Sequence, residues 1–303
     1  MTRIANLAQF ERTQSHILTA MERLNDGQLK IASGRQSENY SGIARDSRRL
    51  INVESSHIRT TQYIENNRMI EQRLQKMETS ISQVFDVLSQ FKTLLINGLN
   101  ASNASDLAVP VQAQSFLDEV TALLNVQEDG RYLFAGSRTD TRPVDQSALP
   151  GAYVVPTADG DSLAYYQGDT TLLSVRADET YTIGYGVHAG EEGFERAIRG
   201  LDLMVKSAPG DRAAMEHALD IVNTAITNVS DIRTRVGATR SALENVNQRH
   251  EDFLLFAEKT ISDIENVDVT AVITQMNADQ VAVEASFTVI ARLAQLNLSS
   301  YLR

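Results

Sequence analysis

The sequence predicts a mainly α fold with a small β insertion: a rod of long antiparallel helices whose N- and C-terminal helices pair as a coiled coil. Three observations carry this. Both ends of the 303-residue chain show apolar side chains alternating three and four positions apart, the spacing of a helical seam. Residues 43–97 contain neither Gly nor Pro, and after Pro209-Gly210 only Gly237 interrupts the remainder. Residues 131–195 hold eight of the 16 glycines, three of the five prolines and six of the nine tyrosines, so irregular and β structure concentrates there.

Taken in order, Leu7, Phe10, Gln14, Ile17, Met21, Leu24, Gln28 and Ile31 form the N-terminal seam. Gly27 costs only about 1 kcal/mol in a helix, so one helix is expected to run on to Ser33, with Gly34 in the left-handed position after its end. A loop, Gly34 to Gly42, leads to a second helix within Ile43 to Asn97, where about fifty helical residues would span about 75 Å at 1.5 Å per residue. Ser105 or Asp106 is the expected cap of a third helix, with Pro110 in its first turn and Val111, Phe116, Val120, Leu123 and Leu124 as its buried face. Asp129-Gly130 ends it. In the insertion, Tyr153-Val154-Val155, Leu163 to Tyr166, Leu172 to Val175 and Thr180 to Val187 read as short strands between turns. Helix resumes at Phe194 to Val205, pauses at Ser207 to Gly210, and continues along Leu219, Val222, Ile226, Val229, Ile232, Val236, Leu243, Val246, Phe253, Phe256 and Ile264.

The last 36 residues, Asp268 to Arg303, close the layout, with Asp268 as the expected helix cap. Val269, Met276, Val283 and Ile290 recur every seven residues, and Ile273, Gln280, Phe287 and Ala294 follow each of them by four. Only Asp268, Asp279, Glu284, Arg292 and Arg303 are charged, so more apolar surface is offered than one partner helix covers. The expected organisation is a terminal-helix assembly domain (1–45 with 267–303), a long-helix bundle (46–130 with 196–266) and an inserted acidic β domain (131–195). The expected assembly interface is Leu7, Phe10, Ile17, Met21, Leu24, Ile31, Val269, Ile273, Met276, Val283, Phe287, Ile290 and Ala294. A closed monomeric bundle would explain the long central helices but leaves these terminal faces bare.

Composition narrows the function. A net charge of −11 argues against a nucleic-acid partner, which would need clustered Lys and Arg. The insertion alone has ten acidic residues against four arginines. Cysteine is missing, so no disulfide frame, thiol nucleophile or thiolate metal site is expected. No apolar run is long enough to span a membrane, and the first twenty residues lack the pattern of a Sec-type signal peptide. His16, His57, His188, His217 and His250 show no metal-ligand spacing. Asp159-Gly160-Asp161 reads as a turn rather than a calcium loop, since no bidentate Glu follows at the required offset. Gly136-Ser137 lacks the flanking glycine of a nucleophile elbow. No enzyme activity, cofactor or metal is expected.

Two stretches carry a resemblance. Ser286 to Arg303 (SFTVIARLAQLNLSSYLR) and Leu24 to Leu50 resemble the two ends of the bacterial flagellin superfamily. Tyr132-Leu-Phe-Ala-Gly-Ser137 with Thr139 and Pro143, then Tyr166-Gln-Gly-Asp169, are similar to the branch that sits between hook and filament. Gln36 to Ser41 departs from the Pro-Ser-Asp-Asp-type run common in the superfamily. The resemblance implies a flagellin-like rod with a structural role in the bacterial flagellum, joining hook to filament and assembling through the terminal helices. It implies as partners copies of the chain itself, another hook-associated protein, flagellin, and a cytoplasmic export chaperone on the C-terminal helix. It also implies extracellular location after type III export. Rival readings are a filament flagellin, a cytoplasmic coiled-coil adaptor, and an exported enzyme or sugar-binding module housed in residues 131–195.

Overall fold

The structure is a computed structural model that describes residues 2–100, 108–150 and 163–301; side chains are described from residue 10 to residue 292. Among the described residues there are six α-helices: α1 (Thr2–Ser33), α2 (Ser47–Asn100), α3 (Val109–Leu124), α4 (Glu192–Lys206), α5 (Arg212–Glu265) and α6 (Val269–Tyr301). The described residues also hold four short strands, β1 (Gln127–Glu128), β2 (Arg131–Tyr132), β3 (Leu173–Arg176) and β4 (Thr182–Tyr185), which form two antiparallel hairpins. The fold is mainly α with short inserted hairpins, as the sequence predicts.

The chain divides into two compact units, residues 1–58 with 253–303, and residues 59–252. In the first, α1 and α6 run antiparallel against each other. α1 ends as expected: Gly34 sits at φ +72° and its N–H donates to the Lys30 carbonyl at 2.9 Å. The two connections then pair, because Arg35 bridges Asn266 in antiparallel fashion. Gln36 N–H donates to the Glu265 carbonyl (2.7 Å) and Val267 N–H to the Gly34 carbonyl (3.0 Å). The second helix was expected from Ile43; instead Tyr40–Ile43 forms a 3₁₀ turn and α2 starts at Ser47. Asp268 caps α6 through the Ala271 N–H at 3.0 Å, as predicted.

The second unit holds the main core. Leu74, Ile81, Leu88, Phe91 and Leu95 of α2 meet Val222, Val229, Leu243 and Val246 of α5, with Phe134, Phe194 and Ile198 filling between. Asp211 caps α5 through the Ala214 N–H at 3.1 Å. α3 packs on α4. Its cap differs from expectation: Ser105 and Asp106 lie outside the described residues, and the position before Val109 is Ala108, left-handed at φ +45° with no side-chain cap. Pro110 does fall in the first turn, where its missing N–H is harmless. The buried face also shifts, to Val109, Ala113, Leu117, Val120, Thr121 and Leu124, leaving Val111 70% exposed.

Asp129 (φ +50°) and Gly130 (φ +73°) are both left-handed, the signature of a type I′ turn, and they close the β1–β2 hairpin. β3 and β4 pair from Leu173 opposite Tyr185 to Arg176 opposite Thr182. Leu163–Tyr165, expected as a strand, is a 3₁₀ turn, and Tyr153-Val154-Val155 lies outside the described residues.

Candidate functional site

The site is the α1–α6 pair. At 3.6 residues per turn, Ile17, Ala20, Leu24, Gly27 and Ile31 fall on one row of α1, facing Val272, Met276, Asp279, Val283, Ser286 and Ile290 of α6. Ile17, Ala20, Asp279 and Val283 are buried. The closest approach is at Gly27, where an added Cβ would lie 2.7 Å from Met276 Cγ. One charge sits on this seam. Asp279, 3% exposed, accepts from Arg23 Nε (3.0 Å) and a terminal Arg23 nitrogen (2.6 Å), and from Gln275 Nε2 (3.1 Å). These hydrogen bonds, Arg23's first, hold its carboxyl below the usual carboxylate range.

The sequence-predicted interface therefore splits in two. Ile17 and Val283 are buried between the paired helices, and Leu24, Ile31, Met276 and Ile290 are half-buried. Phe10, Met21, Val269, Ile273 and Phe287 are exposed, Phe287 at 50%. Leu7 and Ala294 lie outside the residues whose side chains are described. The alternate row of the intrachain seam is displaced by one residue from the pattern read in the sequence. On α6 it is Val272, Asp279 and Ser286, not Ile273, Gln280 and Phe287; on α1 it is Ala20 and Gly27, not Met21 and Gln28. Ala20, Gly27 and Ser286 are small enough to let the helices approach closely, as Gly27 against Met276 shows, and Asp279 is held there by Arg23 and Gln275. The large apolar side chains are turned out.

The helix pair thus has two unlike faces. One carries the ridge of Phe10, Met21, Ile273 and Phe287. The other is a cleft of about 430 Å³ lined by Thr13, His16, Thr19, Ala20 and Arg23 from α1 and by Ala282, Ala285, Ser286 and Val289 from α6. Val289, 46% exposed, and Leu18, 55% exposed, were not among the sequence-predicted interface residues; they belong to no heptad row, so spacing could not find them.

In the second unit the two motifs of the insertion converge. Gly136 is left-handed (φ +67°), and a Cβ there would lie 2.1 Å from the Asp169 carbonyl oxygen. That closeness lets Asp169 Oδ1 accept from Ser137 N–H (2.8 Å) and Thr171 N–H (3.0 Å), while Ser137 Oγ donates to Oδ2. The Ser137 bonds hold the Asp169 carboxyl below its ordinary value. The Tyr166 hydroxyl donates to the Asp169 carbonyl (2.5 Å), and its ring stacks on His188 at 5.6 Å. Burial first, then the Asp169 charge, pushes the Tyr166 hydroxyl up. Ser137 thus gives both its N–H and its hydroxyl to one carboxylate, an arrangement that locks two loops together. Among the described residues no group of three His, Asp or Glu side chains could hold a metal ion, and no helix is long and apolar enough to cross a membrane. Asp159 and Asp161 lie outside the described residues.

A polar cluster went unread in the sequence. Asn67 Nδ2 donates to the Ala177 carbonyl (3.1 Å) and to Asn247 Oδ1 (3.0 Å). His250 Nε2 also bonds the Ala177 carbonyl (2.9 Å), and its ring stacks on Tyr63. The available signal was that Asn67 and His250 occupy slots of the apolar stripes, seven before Leu74 and seven after Leu243.

One unit is a pair of terminal helices with an uncovered apolar ridge, and the other is built of long helices with small inserted hairpins. Residues 219–302 match the family described as the bacterial flagellin C-terminal helical region. Among curated proteins, the chain is 21% identical over 300 residues to the flagellar hook-associated protein 3 of Escherichia coli, covering 89% of this chain and 90% of that one. The Salmonella typhimurium protein of the same name is 20% identical, covering 98% of each chain. Among solved structures, a putative flagellar hook-associated protein from Vibrio parahaemolyticus superposes with a TM-score of 0.61 at 22% identity, over 74% of this chain and all of that one. Bacillus cereus FlgL follows at 0.57 and 19%, over 71% and 99%. The chain is thus similar to flagellin-like proteins in its C-terminal helical region and in its fold. Both curated relatives bear the name hook-associated protein 3.

Proposed function

We propose that the chain is a non-enzymatic axial component of the bacterial flagellum that joins hook to filament through its terminal helices. The observation that carries this is the α1–α6 pair, buried along one seam yet still showing Phe10, Met21, Ile273 and Phe287 to solvent. In this reading residues 1–45 with 267–303 form the assembly domain, residues 46–130 with 196–266 the supporting bundle, and residues 131–195 the outward-facing acidic region. Its neighbours are copies of itself, another hook-associated protein and flagellin. An export chaperone covers the apolar face of α6 before assembly, and the chain leaves the cell by type III export; the lack of cysteine suits that passage, since no disulfide can lock the unfolded chain.

The test is a strain lacking the chain. Complete hooks, no attached filaments and flagellin shed into the medium are expected. Filaments still anchored to those hooks would overturn the proposal, as would a copy number matching that of the filament subunit.

A further inference from the structure

We propose that the cleft on one face of the α1–α6 pair is the seat for the ridge on the opposite face of the next copy. The inference rests on the assembly role above and deepens it by naming which face meets which. On α1, His16 and Arg23 stand roughly a fifth of a turn to one side of the intrachain seam, and Phe10 and Met21 as far to the other. On α6, Ala282 and Val289 stand to one side, and Ile273 and Phe287 to the other. Because the helices are antiparallel, the first rows share one face, where they line a single cleft, and the second rows share the opposite face.

The two faces are complementary in size. The cleft floor is built of Thr19, Ala20, Ala282, Ala285 and Ser286, with Val289 as its one sizeable apolar side chain. Its volume of about 430 Å³ far exceeds the roughly 30 Å³ share of one liquid water, room enough for a row of side chains. The ridge supplies two phenylalanines, a methionine and an isoleucine at heptad-related positions, the knobs such a groove takes. Ridge against ridge would set large on large and leave both clefts open. Cleft against ridge covers both faces of each copy. That contact is heterologous, so it repeats from copy to copy and closes as a ring when the rotation allows, the geometry an axial junction needs.

The test exploits the natural lack of cysteine. Two full-length variants, Ala282→Cys in the cleft and Phe287→Cys on the ridge, are expressed singly or together in cells lacking the native chain. Isolated flagella are then treated with a short bis-maleimide. Cross-linked dimers are expected only when both variants are present. The pair Val289→Cys and Ile273→Cys repeats the measurement should Phe287→Cys prevent incorporation. Dimers from a ridge variant alone, or no dimers in flagella that contain both chains, overturn the cleft-to-ridge contact while the junction role stands. A chain missing from hooks and filaments altogether overturns the junction role and this contact with it. Filling the cleft with Ala282→Trp should lower incorporation at least tenfold while leaving circular dichroism of the free chain unchanged; normal incorporation would also overturn the contact.

Discussion

Replacing Phe287 with Asp separates what holds the helix pair together from what holds copies together. Phe287 is already half exposed in the single chain. The substitution should therefore change the free chain's stability by no more than about 0.5 kcal/mol, the usual range for surface positions. In the assembly the arithmetic differs. Covering the remaining half of a phenylalanine contributes about 1 kcal/mol, half the 1.5–3 kcal/mol of full burial, and that is lost. An unpaired carboxylate in the same place adds a desolvation penalty of several kcal/mol. A combined loss of about 4 kcal/mol lowers association by roughly a thousandfold at each contact. The control is Val283→Asp, at a position 9% exposed inside the seam, where the charge falls between α1 and α6 of one chain. Hydrogen exchange of the α6 amides and sedimentation of the assembled chain read the two effects. Phe287→Asp should keep monomer-like exchange and lose assembly, whereas Val283→Asp should lose protection in the free chain. If Phe287→Asp unprotects α6 as strongly as Val283→Asp, or assembles normally, the division into seam and ridge is wrong.

Three further outcomes follow from the geometry. Gly130→Ala carries only the left-handed backbone cost, about 1–2 kcal/mol, since nothing lies near its added Cβ. Gly136→Ala meets the Asp169 carbonyl as well and should cost at least about 1 kcal/mol more from overpacking; equal thermal shifts would refute the close approach. Burial lowers the His188 pKa, with Tyr166, Asp169, Glu191 and Arg235 around it. The folded protein then binds fewer protons than the unfolded chain, so stability should fall as pH drops below about 6.5 and level off under the folded value. His188→Phe should flatten that slope in thermal melts. Asp279, held ionised by Arg23, contributes stability that is present above its ordinary value of about 3.9 and lost as pH falls through its lower folded value. Asp279→Asn should remove the acid dependence of α6 exchange protection.

Much of this architecture was legible in the sequence. The helices announced themselves through their lack of Gly and Pro, and Gly34, Pro110 and Asp268 did what their chemistry dictates; Asp129-Gly130, expected to end the third helix, instead turns the β1–β2 hairpin, and α3 stops at Leu124. The site was legible only in part. Reading large apolar residues as the seam placed Met21, Ile273 and Phe287 between the paired helices, whereas Ala20, Gly27, Asp279 and Ser286 hold neighbouring slots there. Hydrophobicity reports that a face must be covered, not which of two partners covers it. Backbone approach decides that, and a single Gly contributes little to any apolar pattern. The same limit hid Val111, which lies two residues from both Val109 and Ala113 of α3's buried row. Likewise, the convergence of Gly136-Ser137 with Tyr166 to Asp169 depends on a loop closure over about thirty residues, which no local spacing encodes.

The carbonyl of Ala177 has a mechanical consequence. It lies at the end of the β3–β4 hairpin's first strand and accepts from Asn67 of α2 and His250 of α5 together. A force on the inserted hairpin therefore reaches both long helices at once, through this shared carbonyl and through Ile183 and Tyr185 in the core. The insertion behaves as a rivet head rather than a flag on a tether.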